Sequence, residues 1–336
     1  MNDNQILESM RTAVEEELQG CVVRFFHNQP DQFREMVAYP LGFAAYGSTG
    51  EGKGKRLRSI FLLAASYALG FDWRLALPAA AGIELVHNFS LVHDDIQDRS
   101  DTRRGQPTVW KKWGEAQAIN VGDALLAMSS LEIQRLQLNP ELKLRASYRL
   151  ADATFKLTTG QYLDLAFEKT EEISLSSYWQ MIQGKTGALL GACFGIAAIL
   201  AGKNEENVNA FDSLGIELGM AFQVQDDFLG VFGSDRITGK SVVSDLVERK
   251  KTYPILYGLQ HIPEFSNLWK KTAEFSENEL LQLKSILEEN DVQGQTRKIS
   301  SELFAKIEND FQILFGENEK AELLHGLINR LLDRIK

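Results

Sequence analysis

Apolar residues recur along this chain at intervals of three and four positions, which is the spacing of one face of an α-helix. Near the start the interval is four residues, in a run made of Ile6, Met10, Val14 and Leu18. The same spacing, without the strict alternation of a half-buried strand, continues through three long segments: 57–85, 116–136 and 142–167. The pattern therefore predicts an almost entirely α-helical fold.

The most apolar part of the chain, residues 188–202, contains no charged side chain. It is shorter than the ~20 residues that a helix needs to cross a bilayer, so it predicts a buried core helix and no transmembrane segment. The chain has seven prolines and no linker rich in proline or serine. We therefore expect a single domain over residues 1–336, with polar loops at 40–54, 99–107 and 233–251.

The composition narrows the range of partners. Of 336 residues, 44% are hydrophobic and 24% are charged, which is typical of a folded globular protein. A formal net charge of -10 argues against binding to nucleic acid or to an anionic membrane. Two cysteines, Cys21 and Cys193, are too few for a disulfide framework, and the first twenty residues lack the features of a signal peptide. We therefore expect a cytoplasmic protein.

The densest chemical signal is the segment 87–98, HNFSLVHDDIQD. Asp94 and Asp98 lie one helical turn apart on one face, with His87 close to the same stripe. Carboxylates at this spacing suit Mg²⁺, which fills its remaining positions with water and phosphate oxygens. The alternative is an exposed acidic helix end, but negative charge is disfavoured late in a helix. We interpret the two aspartates as metal ligands.

A second acidic pair follows in the segment 215–230, GIELGMAFQVQDDFLG. Gly215, Gly219, Gln223 and Asp226 fall close to one stripe, where small residues allow another helix to approach. One aspartate pair is most often a surface feature, whereas two pairs in matching apolar helices rarely arise by chance. The second helix is therefore predicted to form another wall of the same cavity.

Basic residues follow each acidic pair. Arg103 and Arg104 come after the first, and Lys240, Lys250 and Lys251 come after the second. Arginine forks suit bidentate phosphate binding, and lysine supplies a mobile charge. Any one of these residues is best interpreted as ordinary surface charge. The repeated order of acids and then bases favours a bound phosphate ligand.

A nucleotide site is the first alternative, because residues 47–54, GSTGEGKG, are similar to a P-loop. Gly54 stands where that motif needs serine or threonine, and no buried strand precedes the segment. The context therefore disfavours a P-loop.

Four motifs resemble the trans-prenyltransferase (polyprenyl diphosphate synthase) family, in the family's order and over nearly the whole chain. They are GKRLR at 54–58, LVHDDIQDRSDTRRGQPTVW at 91–110, KT at 185–186 and FQVQDDFLG at 222–230. The resemblance implies an antiparallel helical bundle around a deep central cavity (the isoprenoid synthase type I fold), with the two acidic motifs facing each other across its mouth. It also implies a homodimer that uses isopentenyl diphosphate and an allylic diphosphate.

The resemblance further implies a role for each matching residue. Four aspartates would hold three Mg²⁺ ions on the allylic diphosphate: Asp94, Asp98, Asp164 and Asp226. Five residues would surround the same diphosphate: Arg103, Lys185, Gln223, Lys240 and Lys250. Thr186 would also bind substrate. Four would hold the isopentenyl diphosphate: Lys55, Arg58, His87 and Arg104.

Two positions depart from the family pattern. Gly230 stands where many relatives carry the last aspartate of the second motif, which predicts weaker metal binding. Ser59 replaces the proline that usually follows GKRLR, a structural position.

Two related functions are alternatives. A terpene cyclase would share the cavity and the first acidic motif, but its second helix usually carries an Asn/Asp, Ser/Thr and Glu triad, which residues 226–231 lack. A regulatory subunit of a heteromeric synthase would have lost acidic or basic groups that this chain retains. The sequence therefore favours an active prenyltransferase.

The length of the product is predicted from Phe89, which precedes Asp94 by five residues, about 7.5 Å along a helix. A ring at that depth would stop a growing hydrocarbon chain, while the next residue, Ser90, is small. One bulky residue at the two positions nearest the first motif is a pattern that resembles geranylgeranyl synthases, whereas two aromatic residues there resemble the pattern of farnesyl synthases. We expect geranylgeranyl diphosphate, with farnesyl diphosphate as the alternative and a plain core role for Phe89 as the simpler interpretation.

Overall fold

The computed structural model describes residues 2–43, 54–168, 170–233, 244–271 and 274–333. Nearly all of this described part is α-helical, so the all-α prediction is confirmed. The first ten helices are α1 Asp3–Phe25, α2 Asp31–Ala38, α3 Leu57–Ala68, α4 Leu77–Gln97, α5 Val109–Trp113, α6 Glu115–Ile133, α7 Pro140–Glu168, α8 Leu175–Ile182, α9 Ala188–Leu200 and α10 Glu205–Phe232. The remaining ones are α11 Ser244–Val247, α12 Tyr253–His261, α13 Pro263–Lys271, α14 Glu277–Glu289, α15 Val292–Phe315 and α16 Ala321–Leu332.

The predicted loop 99–107 contains a small hairpin instead of purely irregular chain. Strand β1, Thr102–Arg103, pairs antiparallel with strand β2, Gln106–Pro107. The two residues between the strands, Arg104 and Gly105, both have positive φ, 52° and 75°. Such a turn matches the twist of a two-residue hairpin, which fixes the direction of Arg103 and Arg104.

The N-terminal helix shows how the sequence pattern becomes structure. Asn2 caps α1 by accepting the N–H of Gln5, and the Gln5 side chain accepts the N–H of Asn2, which is a capping box. One face of α1 is buried, with the following side chains inside: Leu7, Met10, Val14, Leu18, Cys21 and Val22. The helix predicted from the four-residue spacing near the start of the chain is therefore present, with one apolar face buried.

The helices group into two compact units. Unit 1 comprises Met1–Thr154, Ala192–Asp212 and Asn318–Leu324. Within it, α4 packs against α1, α3 and α6. Gly82 of α4 allows the close approach of α6, because a Cβ at that position would lie 3.3 Å from the carbonyl oxygen of Ser129.

Unit 2 comprises Phe155–Gly191, Ser213–Glu317 and His325–Lys336. One buried cluster joins α8, α10 and α12: Tyr178, Met181, Ile182, Val224, Tyr253 and Leu256. A second cluster includes Val231 of α10, Leu246 of α11 and Ile255 of α12. The predictions of a single domain and of a central cavity stay predictions.

Within the predicted stretch 188–202, residues Ala188–Leu200 form α9, and the apolar side chains of this helix are at most 4% exposed, so the predicted core helix is confirmed. Among the described residues, two helical stretches are long and apolar enough to cross a membrane by length and composition, Trp73–Gln97 and Leu175–Leu200. Inside the fold, 67% and 83% of their most apolar windows are buried. Burial in a protein core accounts for their composition.

Candidate active site

The first acidic motif lies at the carboxyl end of α4, as its sequence context predicts. Asp94 is in the last turn, and Asp98 caps the helix, with its N–H donating to the carbonyl oxygen of Asp94 at 2.8 Å. Asp94 is partly exposed and Asp98 is exposed. Because the partial negative charge of the helix end disfavours carboxylates there, both positions favour a nearby cation.

Arg103, on strand β1, supplies one cation of this kind. Its Nε donates to Oδ1 of Asp95 at 2.8 Å, and its Nη2 donates to Oδ2 of Asp94 at 3.3 Å. The hairpin thus fixes a guanidinium beside the acidic helix end, where it also faces any anion that approaches Asp94.

The two adjacent aspartates of this motif have different environments. Asp95 is buried, at 4% exposure, whereas Asp94 is partly exposed. Burial raises the pKa of Asp95 to about 6, against the opposing charge of Arg103. Asp95 therefore positions Arg103, and Asp94 keeps oxygen atoms accessible to a metal.

Basic groups of unit 1 gather near His87. Nη1 of Arg58 lies 3.3 Å from Nε2 of His87. Because a guanidinium only donates, Nε2 accepts, and the proton of the neutral ring lies on Nδ1. Burial lowers the pKa of His87 well below its usual value, and the charges of Arg58 and Arg104 lower it further. His87 is thus a neutral imidazole in a cationic environment.

Arg104 belongs to the same cationic region. Its guanidinium lies against Gly54, where a Cβ would be 2.8 Å from Nη1. Burial lowers the pKa of Arg104, although the charge of Glu84 opposes this effect. Lys55 follows Gly54 and is exposed. The structure therefore brings Arg58, His87 and Arg104 into one cationic region of unit 1.

The middle arginine of the GKRLR motif has a different role that the sequence did not indicate. Arg56 is 3% exposed, has a left-handed backbone with φ of 51°, and donates to Glu15 at 2.8 Å and to Glu84 at 3.2 Å. Ser59 donates to the same Glu84 at 3.1 Å. Since Glu84 lies on α4, these contacts tie the start of α3 to the helix that carries His87.

Close helix contacts build the site in unit 2. A Cβ at Gly160 of α7 would lie 2.7 Å from the carbonyl carbon of Gly184, and a Cβ at Gly219 of α10 would lie 2.7 Å from Cα of Gly187. Gly184 and Gly187 belong to a π-helical turn, Gln183–Gly187, and such turns are frequent at functional sites. The prediction that small residues on α10 permit close approach is confirmed at Gly219.

This packing places one polar side chain from each helix beside the π-helical turn. Asp164, one turn after Gly160, forms an ion pair with Lys185. Gln223, one turn after Gly219, accepts a hydrogen bond from Oγ1 of Thr186 at 2.7 Å. All four side chains were candidates from the sequence, and the structure pairs them within unit 2.

The second acidic pair divides its roles as the first one does. Asp226 is partly exposed, whereas Asp227 is 3% exposed. Asp227 accepts hydrogen bonds from the hydroxyl of Tyr178 at 2.6 Å, from Nε2 of Gln223 at 2.9 Å and from the N–H of Tyr253 at 3.0 Å. Burial raises the pKa of Asp227 to about 7, against these donors. Asp227 thus holds Gln223 in place.

Lys250 lies in an acidic environment. Burial lowers its pKa, but the hydrogen bond to Glu248 and the charges of Asp245 and Asp164 outweigh burial, so the pKa is raised above its usual value. Nζ of Lys250 is 2.6 Å from Oε2 of Glu248. Lys250 therefore remains a cation beside Asp164.

Phe89 is 9% exposed and meets the ring of His93 edge to face, with centroids 4.9 Å apart. The His93 ring in turn packs against Gly122 of α6. These contacts fit both a chain-length role and a core role. Lys240 and most of the P-loop-like segment 47–54 lie outside the described residues.

Comparison with known proteins identifies the relatives of this chain. Residues 44–289 match the Polyprenyl synthetase family. A (2E,6E)-farnesyl diphosphate synthase of Mycobacterium tuberculosis is 40% identical over 233 residues, 68% of this chain and 64% of that protein. The match thus spans under two thirds of that relative. A geranylfarnesyl diphosphate synthase of Aeropyrum pernix is 34% identical over 84% of this chain and 91% of its own length.

Solved structures agree with this result. The crystal structure of a polyprenyl synthetase from Streptomyces coelicolor A3(2) aligns with a TM-score of 0.88 and 30% identity, covering 98% of this chain and 99% of its own. A geranylgeranyl pyrophosphate synthetase from the archaeon Geoglobus acetivorans aligns with a TM-score of 0.84, also at 30% identity, covering 98% and 99%. The motifs, the helical fold and these matches lead to one conclusion: the chain belongs to the polyprenyl synthetase family.

Proposed function

We propose that this chain is a Mg²⁺-dependent trans-prenyltransferase that joins isopentenyl diphosphate to an allylic diphosphate and forms geranylgeranyl diphosphate. The observation that carries this proposal is that each unit pairs accessible carboxylates with fixed cations. Asp94 pairs with Arg103 in unit 1, and Asp164 pairs with Lys185 in unit 2. Groups of this composition bind a diphosphate together with a divalent metal.

The donor set fits Mg²⁺. The four aspartates offer only oxygen atoms, and all four are partly or fully exposed: Asp94, Asp98, Asp164 and Asp226. When bound, Mg²⁺ would offset the negative charge that develops on the departing pyrophosphate.

The cations of the chain hold the allylic diphosphate and stabilise its departure. Arg103 of unit 1, Lys185 and Lys250 of unit 2, and Lys240 are the cations that would bind its oxygens. The carbon–oxygen bond of the allylic substrate breaks, and pyrophosphate leaves with the electron pair. The double bond of isopentenyl diphosphate attacks the allylic cation, and the released pyrophosphate takes the proton whose loss forms the new double bond. The hydrogen bonds with Thr186 and Asp227 hold the side chain of Gln223, which would bind the same diphosphate.

The second cationic region holds the isopentenyl diphosphate. Lys55, Arg58 and Arg104 supply positive charge, and the neutral His87 donates from Nδ1 because its Nε2 already accepts from Arg58. A neutral donor adds a hydrogen bond to the diphosphate and leaves the charge balance unchanged.

The proposed length of the product rests on two residues of α4: the bulky Phe89 and, directly after it, the small Ser90. Relatives of similar identity are named farnesyl diphosphate synthase and geranylgeranyl diphosphate synthase, each 40% identical to this chain. Farnesyl diphosphate is therefore the second candidate product.

The deciding experiment is to incubate the protein with Mg²⁺, isopentenyl diphosphate and each allylic primer in turn, and to identify the products by mass spectrometry. We expect a twenty-carbon diphosphate that forms only when both substrates are present. Conversion of an allylic diphosphate alone would indicate a cyclase, and no condensation with any primer would refute the proposal.

The enzyme works as a homodimer in the cytoplasm. Along α7, four large apolar side chains recur at intervals of four and seven residues, and each is 67–73% exposed: Leu144, Tyr148, Phe155 and Tyr162. A stripe of this kind is typical of a surface that another chain covers. Sedimentation should give the mass of a dimer, and a Phe155→Lys variant should shift it toward the monomer.

A further inference from the structure

Gly230 lies one helical turn after Asp226, at the position where many relatives carry a third acid. The structure shows what a side chain at this position would meet. A Cβ at Gly230 would lie 2.5 Å from Cγ and 2.8 Å from Oδ1 of Asp245. The carboxylate of Asp245, from helix α11, thus occupies the space in which a side chain at position 230 would begin.

Buried neighbours fix this arrangement. Val231, next to Gly230, and Leu246, next to Asp245, are both 0% exposed and belong to one hydrophobic cluster. The placement of the carboxylate against α10 is therefore set by the core of unit 2.

The charge of Asp245 acts on two groups of the candidate site, Lys250 and Asp227. The hydrogen bond that Lys250 donates to Glu248 raises the pKa of Lys250 most, and the negative charges of Asp245 and Asp164 raise it further. The charge of Asp245 also adds to the effect of burial in raising the pKa of Asp227. Asp245 therefore lies in the same electrostatic environment as Asp164 and Lys250.

We infer that Asp245 supplies the carboxylate that the second acidic motif lacks at Gly230, and that it accepts a hydrogen bond from water on a divalent cation held by Asp226. The inference rests on the proposed function. It replaces the expectation of weaker metal binding, because the acid comes from another segment of the chain. It also gives the glycine a purpose, since any side chain at 230 would displace Asp245.

Binding of Mn²⁺ in the presence of saturating inorganic pyrophosphate tests this inference without measuring activity. The free Mn²⁺ signal in electron paramagnetic resonance gives the dissociation constant. We expect Asp245→Asn to weaken Mn²⁺ binding by roughly tenfold or more, the usual cost of losing a group that orients metal-bound water. The matched control is Asp310→Asn, which removes one carboxylate from unit 2 at a site paired with Lys306. It should bind Mn²⁺ like the parent protein.

A relocated acid gives the sharper test. The double variant Gly230→Asp/Asp245→Gly moves the carboxylate to position 230 and frees the space that it needs. It should bind Mn²⁺ within about threefold of the parent and more tightly than Asp245→Gly alone. A relocated variant no better than Asp245→Gly overturns the inference, as does normal affinity in Asp245→Asn with a lower melting temperature, which indicates a purely structural role.

Asp226→Ala separates this inference from the proposed function. Loss of Mn²⁺ binding in Asp226→Ala with normal binding in Asp245→Asn would refute the role of Asp245 alone. Normal binding in both variants would refute the metal assignment itself.

Discussion

The two acidic motifs share a sequence pattern but balance their charge in different ways. In unit 1 the buried member, Asp95, is held by the guanidinium of Arg103, so an ion pair positions it. In unit 2 the buried member, Asp227, is held by a tyrosine hydroxyl, an amide side chain and a backbone N–H. In both motifs the other aspartate stays partly exposed. One residue of each pair therefore holds neighbouring groups in place, and the other keeps its carboxylate partly exposed.

The difference follows from the neighbouring structure. The hairpin after α4 brings an arginine to the helix end, where the exposed acids need a cation. On α10 the corresponding acid is enclosed by α8 and α12, which supply neutral donors: the hydroxyl of Tyr178 and the N–H of Tyr253. The comparison predicts that removing the exposed acids stops turnover, whereas removing the buried ones disturbs position and stability.

The largest expected effect is on turnover. Asp94→Ala and Asp226→Ala should each lower kcat by roughly 10²–10³-fold or more, the scale of losing one stabilising group for the leaving charge. Neither carboxylate fills the core, so circular dichroism should show an unchanged helical fold. Near-normal turnover in a folded variant would show that the exposed aspartate of that motif is not needed for catalysis.

The next effect separates two arginines of one motif in unit 1. Arg56→Ala leaves Glu84 buried without its cation and should lower the free energy of unfolding by about 3–5 kcal/mol. Arg58→Ala should leave stability nearly unchanged and raise the KM for isopentenyl diphosphate about tenfold, more than the KM for the allylic substrate. Urea unfolding and steady-state kinetics with each substrate varied measure the two effects. The opposite KM pattern would mean that the two diphosphate sites are exchanged.

The two buried aspartates, Asp95 and Asp227, allow a comparison of the stability contributed by an ion pair with that contributed by neutral hydrogen-bond donors. Asp227→Ala removes the acceptor for three donors, two of them buried, and should cost about 1–3 kcal/mol of stability. Asp95→Ala should cost less, because Arg103 is partly exposed and regains water. Its main effect should be weaker binding of the allylic diphosphate. Urea unfolding of both variants gives the order, and a larger loss in Asp95→Ala would reverse the comparison.

Much of this arrangement could be predicted from the sequence, for a physical reason. Helical periodicity places Asp94 and Asp226 late in buried helices. Because a negative charge is disfavoured near the carboxyl end of a helix, this placement predicts nearby cations. Arg56 gave no signal, since its partners Glu15 and Glu84 lie far away in sequence. The hairpin was missed because strands of two residues have no periodicity, and the π-helical turn has no distinctive pattern. The split within each aspartate pair was readable in principle, because neighbours on a helix point about 100° apart.

The residues that precede each acidic motif also differ, and on α4 these residues are the ones proposed to set product length. Phe89 and Ser90 precede Asp94 by five and four residues, whereas Ala221 and Phe222 precede Asp226. If the ring on α4 limits the chain, Phe89→Ala should shift products to longer diphosphates, as product chromatography at matched turnover would show. Phe311→Ala, a buried phenylalanine in unit 2, is the control for lost packing alone. An unchanged distribution in folded Phe89→Ala would leave Phe89 a core residue.

The smallest effect concerns the protonation of His87. The predicted site residues of unit 2 include no histidine. Burial and the charges of Arg58 and Arg104 hold the pKa of His87 well below the usual value, so the ring stays neutral in the folded protein. In the unfolded chain His87 binds a proton below about pH 6.5, whereas in the folded protein it does not. Proton binding therefore favours the unfolded state as the pH falls, and His87 lowers the free energy of unfolding at acidic pH. In nuclear magnetic resonance the His87 ring signals should stay constant from pH 8 to pH 6. Inorganic pyrophosphate should raise the pKa, because an anion beside the ring offsets the arginine charges. Ordinary titration near pH 6.5 without ligand would show that His87 is not held by the cations of unit 1.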